Sequence, residues 1–319
     1  MKTVVSAYAA SPAHTTWDPV FEERFLAGLV DMDGVDALEI PWLGRLHPHD
    51  EDWFVTRLPP AELIVTALPW TVTRSTASAA YGLASSDENG RAAAVSDLAR
   101  LHHDIRRLPT APTVIMLHTA PRGGHGSVDS LRRSLATLAS WDWCGAGLAI
   151  EHCDTAVPGH SYEKGFLGLD DELATAGVFE KVGIWMNWGR SAIELRDPGA
   201  VTAQIAAAAS TGLLMGLTYS GASAAAGPYG PAWADTHLPF METDAASGSL
   251  LNRSRAEEAA AAAPGVPWHG LKVSRNPRDE SVADVLATVQ ANLEVMHAAG
   301  SAPVEERRPR SIPSGAMAP

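Results

Sequence analysis

The chain has 319 residues, of which 46% are hydrophobic, so it is long enough to bury a large core. Its formal net charge of −13 disfavours a nucleic acid as the main partner, because an acidic surface repels phosphate backbones. Its two cysteines, Cys144 and Cys153, exclude a disulfide framework, and no apolar run of about 18 residues is present to span a membrane. We therefore expect a cytoplasmic protein that is not embedded in a membrane.

The N-terminal apolar run predicts a first β-strand. The run VVSAYAA (4–10) is short for the apolar segment of a signal peptide, and it includes Ser6 and Tyr8. Asp18 and Pro19 then stand where a helix places its N-cap and its first residue, which predicts a helix over 18–32.

Eight short apolar runs alternate with helical patterns along the chain. Such runs are typical of parallel strands buried on both faces. Eight strands alternating with eight helices predict a TIM barrel, an α/β fold. The alternative is a doubly wound open sheet, which usually has a Gly-rich turn after its first strand, and AYAASPAH (7–14) has no glycine. The predicted strands are 3–8, 37–42, 62–69, 113–119, 147–152, 182–188, 213–220 and 270–275.

We expect a single barrel domain over residues 1–300. The remainder, 301–319, is rich in proline and charge and poor in apolar residues, which predicts a disordered tail. The connection after the seventh strand, residues 220–249, is long and contains several aromatic residues. Loops of this length in compact domains are usually functional.

Polar side chains follow several predicted strands, at the end of the barrel where TIM-barrel enzymes carry out their chemistry. In LAIEHCDTAVPGH (148–160), neighbouring residues of a strand point to opposite faces. We expect Glu151 to face the barrel interior and His152 the helices, since a carboxylate against the helix layer is costly to bury. The candidate catalytic residues are Glu151, His118 and His237, and the candidate substrate-binding residues are Glu39, Asn187, Trp188, Arg190, Trp233 and Arg275.

Several of these residues have an equally plain structural interpretation. Glu39 fits a carboxylate that pairs across the barrel mouth, and His118 fits a hydrogen bond to a neighbouring loop. Arg190 fits a structural ion pair with Glu194 or Glu151. The tryptophans at strand ends suit the apolar faces of a sugar ring, which favours a small carbohydrate as the ligand.

Two longer segments carry a resemblance to a known superfamily. GLAIEHCD (147–154) and VGIWMNWGRSAIE (182–194), within a βα order over roughly residues 1–300, resemble the xylose-isomerase-like TIM barrels, the sugar isomerase and epimerase superfamily. The shorter motifs IEHCD, NWGRSAIE, YSGAS and WADTHLPF resemble an uncharacterised bacterial family within it.

The superfamily pattern implies one divalent metal, held by Glu, Asp, His and Glu at strands five, six, seven and eight. Glu151 matches the first position, whereas strand six offers Asn187. Strand seven ends in Tyr219 and Ser220 and strand eight in Ser274 and Arg275, so the usual ligand set is incomplete. A substitute set would join Glu151 and His237 to either His118 or Asp154, because N and O ligands suit borderline cations.

The resemblance implies a sugar isomerase or epimerase that transfers a proton next to a carbonyl. Arg190, Lys272 and Arg275 predict a cationic rim, which favours an anionic group on the sugar. The alternatives are a non-catalytic sugar-binding barrel and a lyase or glycoside-cleaving enzyme. Common glycosidases need carboxylates where strands four and seven here offer His118 and Ser220. A homo-oligomer is compatible with these features.

Overall fold

Eight parallel strands close into a barrel in chain order, as predicted. The computed structural model of the chain describes residues 2–12 and 16–301. The predicted disordered tail therefore lies outside the described residues, apart from Ser301. The strands are β1 (Lys2–Ser6), β2 (Ala37–Pro41), β3 (Glu62–Thr66), β4 (Pro112–Leu117), β5 (Gly147–Glu151), β6 (Val182–Asn187), β7 (Leu214–Tyr219) and β8 (Trp268–Leu271).

Ten α-helices surround the barrel in the described part of the chain, two more than predicted. The first begins as expected, because the Asp18 side chain accepts hydrogen bonds from the backbone N–H groups of Val20 and Phe21 at 2.9 and 3.1 Å. The helices are α1 (Pro19–Val30), α2 (Glu51–Arg57), α3 (Leu68–Ala77), α4 (Glu88–Asp104), α5 (Val128–Ala139), α6 (Leu169–Ala176), α7 (Trp188–Leu195), α8 (Val201–Ser210), α9 (Arg253–Ala262) and α10 (Val282–Gly300).

The two additional helices, α3 and α7, start at or just after the end of a strand. The predicted strands 62–69 and 182–188 ran on into them and were too long at this end. In α7 the cause is local, because the Asn187 side chain accepts from the N–H groups of Gly189 and Arg190 and so starts a helix at once. In α3, Pro69 stands in the first turn, where a missing N–H costs nothing.

The eighth strand is displaced from its prediction. It spans Trp268–Leu271 and not 270–275, because Trp268 is in register with Lys2 of β1 and Gly216 of β7. Lys272 is therefore the first residue beyond the strand, buried inside the barrel mouth, while Arg275 is exposed.

The lower half of the barrel interior is apolar and tightly filled. One packed cluster unites side chains from seven of the eight strands: Val4, Ala37, Ile64, Val114, Met116, Ala149, Trp185 and Trp268. The indole of Trp185 lies across Gly216 and donates a hydrogen bond to the Thr218 hydroxyl at 2.7 Å. The side chains that succeed this cluster along the strands are the polar ones.

The long segment after β7 folds back over the barrel mouth. Gly221 and Leu238 exchange backbone hydrogen bonds, which closes the first part of the segment into a loop. Ser274, just past β8, donates from its backbone N–H to the carbonyl of His237 at 2.8 Å and from its hydroxyl to the carbonyl of Thr236 at 2.7 Å. These contacts hold residues 235–237 at the mouth.

None of the helices within residues 2–12 and 16–301 is long and apolar enough to cross a lipid bilayer.

Gly216→Ala should lower the free energy of unfolding by roughly 1–3 kcal/mol, because overpacking a filled core forces strain. A Cβ at this position would lie 2.5 Å from the Trp185 ring. Urea denaturation followed by tryptophan fluorescence measures the change. Gly168→Ala is the matched control, since a Cβ there meets no atom within 4 Å. Equal stability of the two variants would contradict tight packing against Trp185.

Candidate active site

The inward-facing residues change from apolar to polar as the strands approach the mouth. Side chains spaced by two residues along a strand share a face, so the residues that follow the apolar cluster at even spacing also face inward. They include Tyr8, Glu39, His118, Glu151, Asn187 and Lys272. On β7, the Thr218 hydroxyl accepts from the inward Trp185, so Ser220, two residues further on, also faces inward. The ends of the strands therefore line the mouth with groups that carry charge or donate hydrogen bonds.

Glu151 is at the centre of this polar layer. Its Oε2 lies 2.8 Å from Nε2 of His118, and its Oε1 is in ion-pair contact with the Arg190 guanidinium. The Lys272 ammonium lies 3.9 Å from the same Oε1 and 2.6 Å from Oε1 of Glu39. The expectation that Glu151 faces the barrel interior is confirmed, and Glu39 pairs across the mouth.

Asp235 of the long segment joins the layer from above. Its Oδ2 accepts from Nζ of Lys164 at 2.6 Å and from Nε of Arg190 at 3.1 Å. Its Oδ1 lies 3.2 Å from Nδ1 of His237, and the Ser220 hydroxyl lies at the same distance from that nitrogen. Both contacts use Nδ1, which leaves Nε2 as the ring nitrogen available to a ligand.

Glu151 and Asp235 are charged at pH 7, whereas His118 and His237 are neutral. Burial raises the pKa of Glu151, but the cations Arg190 and Lys272 outweigh it and hold this pKa well below the usual range. Burial likewise raises the pKa of Asp235, and Lys164 and Arg190 outweigh it and hold this pKa well below the usual range. Burial lowers the pKa of His118 and of His237 further than their carboxylate partners raise it. A neutral His237 can accept a proton.

A cavity of about 280 Å³ opens over Asp235 and His237. It is bounded on one side by the apolar start of α3 and on the other by polar residues from four further segments. Among the candidate site residues only His237 lines it, with 15% of its side chain exposed. The lining residues are Tyr8, Leu68, Pro69, Val72, Arg122, Glu163, Lys164, Asp235 and His237.

None of the six proposed substrate-binding residues lines this cavity. Asn187 caps α7, Trp188 is buried in the hydrophobic core, and Arg275 is exposed beyond β8. Trp233 stacks with Arg196, whose guanidinium lies 4.5 Å from the centre of the indole ring. Two other strand-end tryptophans, Trp42 and Trp70, donate hydrogen bonds to acidic side chains of α4 and do not form a sugar platform.

Arg190 forms the structural pair that was the alternative interpretation, with Glu151 and not with Glu194. It is fully buried, and its guanidinium lies between Glu151 and Asp235. Glu194 instead binds His152, on the other side of β5. Arg190 is thus an internal counter-ion and is not positioned to receive an anionic group from the cavity.

Lys164 and Arg122 are site residues that sequence reasoning missed. Lys164 lies in HSYEKGFLG (160–168), a stretch without regular secondary structure. The Asp154 carboxylate accepts from the backbone N–H groups of Glu163 and Lys164 at 2.6–3.1 Å and so turns Lys164 inward. The only signal for it is the Pro-Gly turn before it, which is too common to identify a site.

The residues of the implied divalent metal site do not fit a metal. The side-chain oxygen of Asn187 caps α7, and Ser220 contacts His237. The inward residue just past β8 is Lys272, a cation that cannot bind a metal ion. The substitute set does not form either, because Asp154 binds the backbone at 163–165. Within the described ranges, no three His, Cys, Asp or Glu side chains are grouped so that they could hold a metal.

Comparison with known protein families identifies the family to which the chain belongs. The sequence profile of a family described as "Domain of unknown function (DUF4862)" matches residues 4–288. The chain belongs to this family. A relative of the DUF4862 chain is the "Uncharacterized protein STM3670" of Salmonella typhimurium (strain LT2), which is 35% identical over 246 residues, covering 74% of this chain and 78% of the relative.

Solved structures similar to the DUF4862 chain include a sugar epimerase and a xylose isomerase domain protein. D-Psicose 3-epimerase with D-tagatose, from Clostridium cellulolyticum H10, matches 94% of this chain and 99% of its own with a TM-score of 0.57 and 14% identity. A xylose isomerase domain protein from Alicyclobacillus acidocaldarius matches 94% and 99% with a TM-score of 0.53 and 12% identity. At such low identity these matches establish the fold alone, and they agree with the closed eight-stranded barrel.

Behind the site, His152 forms a second buried charge cluster. Its Nδ1 lies 2.7 Å from Glu172 of α6 and its Nε2 lies 3.3 Å from Glu194 of α7. Burial lowers the pKa of His152, but the two carboxylates outweigh it and raise the pKa to about 10. The imidazole is therefore charged at neutral pH.

The free energy of unfolding should fall between pH 7 and pH 10. A histidine whose folded-state pKa is raised contributes stability that is fully present below its unfolded pKa of about 6.5 and is lost as the pH rises through the folded value. His152→Gln should lower the free energy of unfolding at pH 7 by roughly 3 kcal/mol and flatten this slope. Urea unfolding across this range tests both, with the exposed His103→Gln as control. A slope unchanged in His152→Gln would contradict the charged cluster.

Proposed function

We propose that this protein is a sugar epimerase- or isomerase-type enzyme that moves a proton on a carbon beside a carbonyl group. The observation that carries the proposal is the pair of Asp235 and His237 facing a cavity at the mouth of the barrel. The cavity volume is near the lower end of about 300–1,000 Å³ found for small-molecule sites, which suits a single sugar. The similarity in fold to D-psicose 3-epimerase is consistent with this chemistry.

His237 is the proposed proton-transfer residue. Its neutral ring takes the proton from carbon at Nε2, while Asp235 holds the Nδ1–H and stabilises the imidazolium that forms. The same carboxylate binds the Lys164 ammonium at 2.6 Å, so the base and a cation are held side by side. Lys164 then donates to the carbonyl oxygen, which receives the electron pair.

The proton returns from His237 or from a second donor, and the carbon that receives it decides the product. A donor on the opposite face that returns a proton to the same carbon gives an epimer. Return to the neighbouring carbon gives an isomer, and the hydroxyl on the first carbon then loses its proton to become the new carbonyl. Glu151 was the expected base, but it does not line the cavity, and its carboxylate is engaged by His118, Arg190 and Lys272. We assign it the structural role of holding these cations.

Proton transfer should appear as exchange of a carbon-bound hydrogen with solvent. We expect the protein in D₂O to introduce deuterium beside the carbonyl of at least one sugar in a panel of ketopentoses and ketohexoses, as read by proton NMR. His237→Gln should reduce this rate by about 10²–10⁴-fold, the usual contribution of a general base. His103→Gln, an exposed histidine of α4, should exchange as fast as the wild type.

Binding of a sugar without any exchange would contradict the proposal and support the non-catalytic sugar-binding barrel. Asp235→Asn adds a second check, because it removes the carboxylate that orients His237 and Lys164. It should slow exchange without abolishing sugar binding.

The charges of the site favour a neutral sugar over an anionic one. The six ionised side chains of the mouth form three acidic and three basic partners: Glu39, Glu151 and Asp235 with Lys272, Arg190 and Lys164. At the cavity rim, Arg122 donates to the Thr76 hydroxyl and the Glu163 carbonyl, and the acidic Glu163 lines the same cavity. Among the described residues that line the cavity, the cations Arg122 and Lys164 are matched in number by the carboxylates Glu163 and Asp235.

A neutral ketose should therefore bind at least about tenfold more tightly than its phosphate ester, because a charged group buried without a partner is costly. Isothermal titration with the two forms of the most rapidly exchanging sugar measures the ratio. Tighter binding of the phosphate ester would overturn this preference, and its loss in Arg122→Gln would then identify the anion-binding residue.

A further inference from the structure

An ammonium group lies between two buried carboxylates at the centre of the barrel mouth. Nζ of Lys272 is 2.6 Å from Glu39 and 3.9 Å from Glu151. All three side chains are almost completely buried, with exposed fractions of 0–4%. The carboxylates of Glu39 on β2 and Glu151 on β5 thus share the Lys272 ammonium.

Both oxygens of the Glu151 carboxylate already have close partners. Its Oε1 is in contact with the Arg190 guanidinium as well as near Lys272, and its Oε2 binds His118. A metal ion would have to approach this carboxylate within a few ångströms of two fixed positive charges. At such distances like charges repel strongly in a poorly solvated site.

We propose that Lys272 and Arg190 together take the place of the divalent cation that the superfamily pattern implies, so that the mouth of this barrel carries its positive charge on its own side chains and binds no divalent metal. The superfamily pattern has an acidic ligand at strand eight, and here the inward residue just past the end of β8 is itself a cation.

The same balance of charge explains why Glu39 and Glu151 are present. A buried carboxylate without a partner is strongly destabilising, so Glu39 and Glu151 require a cation between them whether it is a metal or an ammonium. Glu39 comes from β2, outside the four strands of the implied metal set. Its ion pair with Lys272 holds the ammonium in the place that the metal would take. Burial lowers the pKa of Lys272, but Glu39 and other neighbours outweigh it and raise it above the ordinary value, so the ammonium persists.

This inference concerns the charge inside the mouth and does not depend on the reaction proposed above. Its tests are accordingly measurements of metal binding and stability, which would stand even if no sugar exchanged hydrogen.

The first test uses the wild-type protein and the electron paramagnetic resonance signal of free Mn²⁺. We expect the signal to be undiminished by stoichiometric protein, and the melting temperature to be the same in EDTA and in millimolar MnCl₂. Binding of one Mn²⁺ per chain that is lost in Glu151→Gln would overturn the inference.

The second test removes the internal cation. Lys272→Met should lower the melting temperature by on the order of 10 °C, because a buried pair loses one partner, and millimolar Mn²⁺ should restore at least half of the loss. Lys272→Glu places a third carboxylate beside Glu39 and Glu151 and should bind Mn²⁺ directly. The control Lys2→Met removes an exposed cation that pairs with Glu62 and lies over the Trp268 ring, away from the buried carboxylates, so Mn²⁺ should not affect it.

A Lys272→Met protein as stable as the wild type, or two folded Lys272 variants that both ignore Mn²⁺, would overturn the inference. If neither variant folds, the wild-type titration still decides, because it alone distinguishes a metal-binding mouth from one closed to metals.

Discussion

The burial of six charged side chains in one barrel mouth is the constraint on which the rest of the structure depends. Each charge would be prohibitively costly alone in such a place, and each is acceptable only because its partners are held within contact distance. Their charges sum to zero, so the mouth is polar without carrying a net charge. The members are Glu39, Glu151, Lys164, Arg190, Asp235 and Lys272.

The charge balance makes the long segment after β7 a structural part of the barrel. Asp235 is the only acidic partner of Lys164 within ion-pair distance among the described residues, and it shares Arg190 with Glu151. If residues 235–237 moved away, two buried cations would lose a counter-ion and His237 would lose its orienting carboxylate. The position of the proposed base and the stability of the mouth are therefore one property.

The sequence predicts the scaffold well because the scaffold depends on local patterns. Eight apolar runs and the rule that parallel strands are buried on both faces lead to the closed barrel, and the alternation of side chains places Glu151 inside and His152 outside. The strand-eight error shows the limit. In WHGLKVSR (268–275), the pattern of apolar residues allows a strand to begin at Trp268 or at Gly270. Only the pairing of Trp268 with β1 and β7 decides that Lys272 faces the mouth.

The site itself is less predictable because its partners are distant in sequence. Lys164 and Asp235 are separated by 71 positions and Glu39 and Lys272 by 233, and no spacing rule connects them. Asn187 and Trp188 show a second difficulty. Residues at a strand end suggest a catalytic rim, but a side chain that caps the next helix or packs in the core has the same place in the sequence.

The end of β5 connects two charge clusters through adjacent residues. Glu151 faces the mouth as an anion among cations, and His152 faces the helix layer as a cation between Glu172 and Glu194. Thr155, four residues beyond Glu151, donates its backbone N–H to Glu194 at 2.8 Å and so fixes the chain as it leaves the strand. The strand end is thus held from both faces, which keeps the Glu151 carboxylate in register with Arg190 and Lys272. Because α7 carries both Arg190 and Glu194, this one short helix completes both clusters, and its capping by Asn187 determines where each partner points.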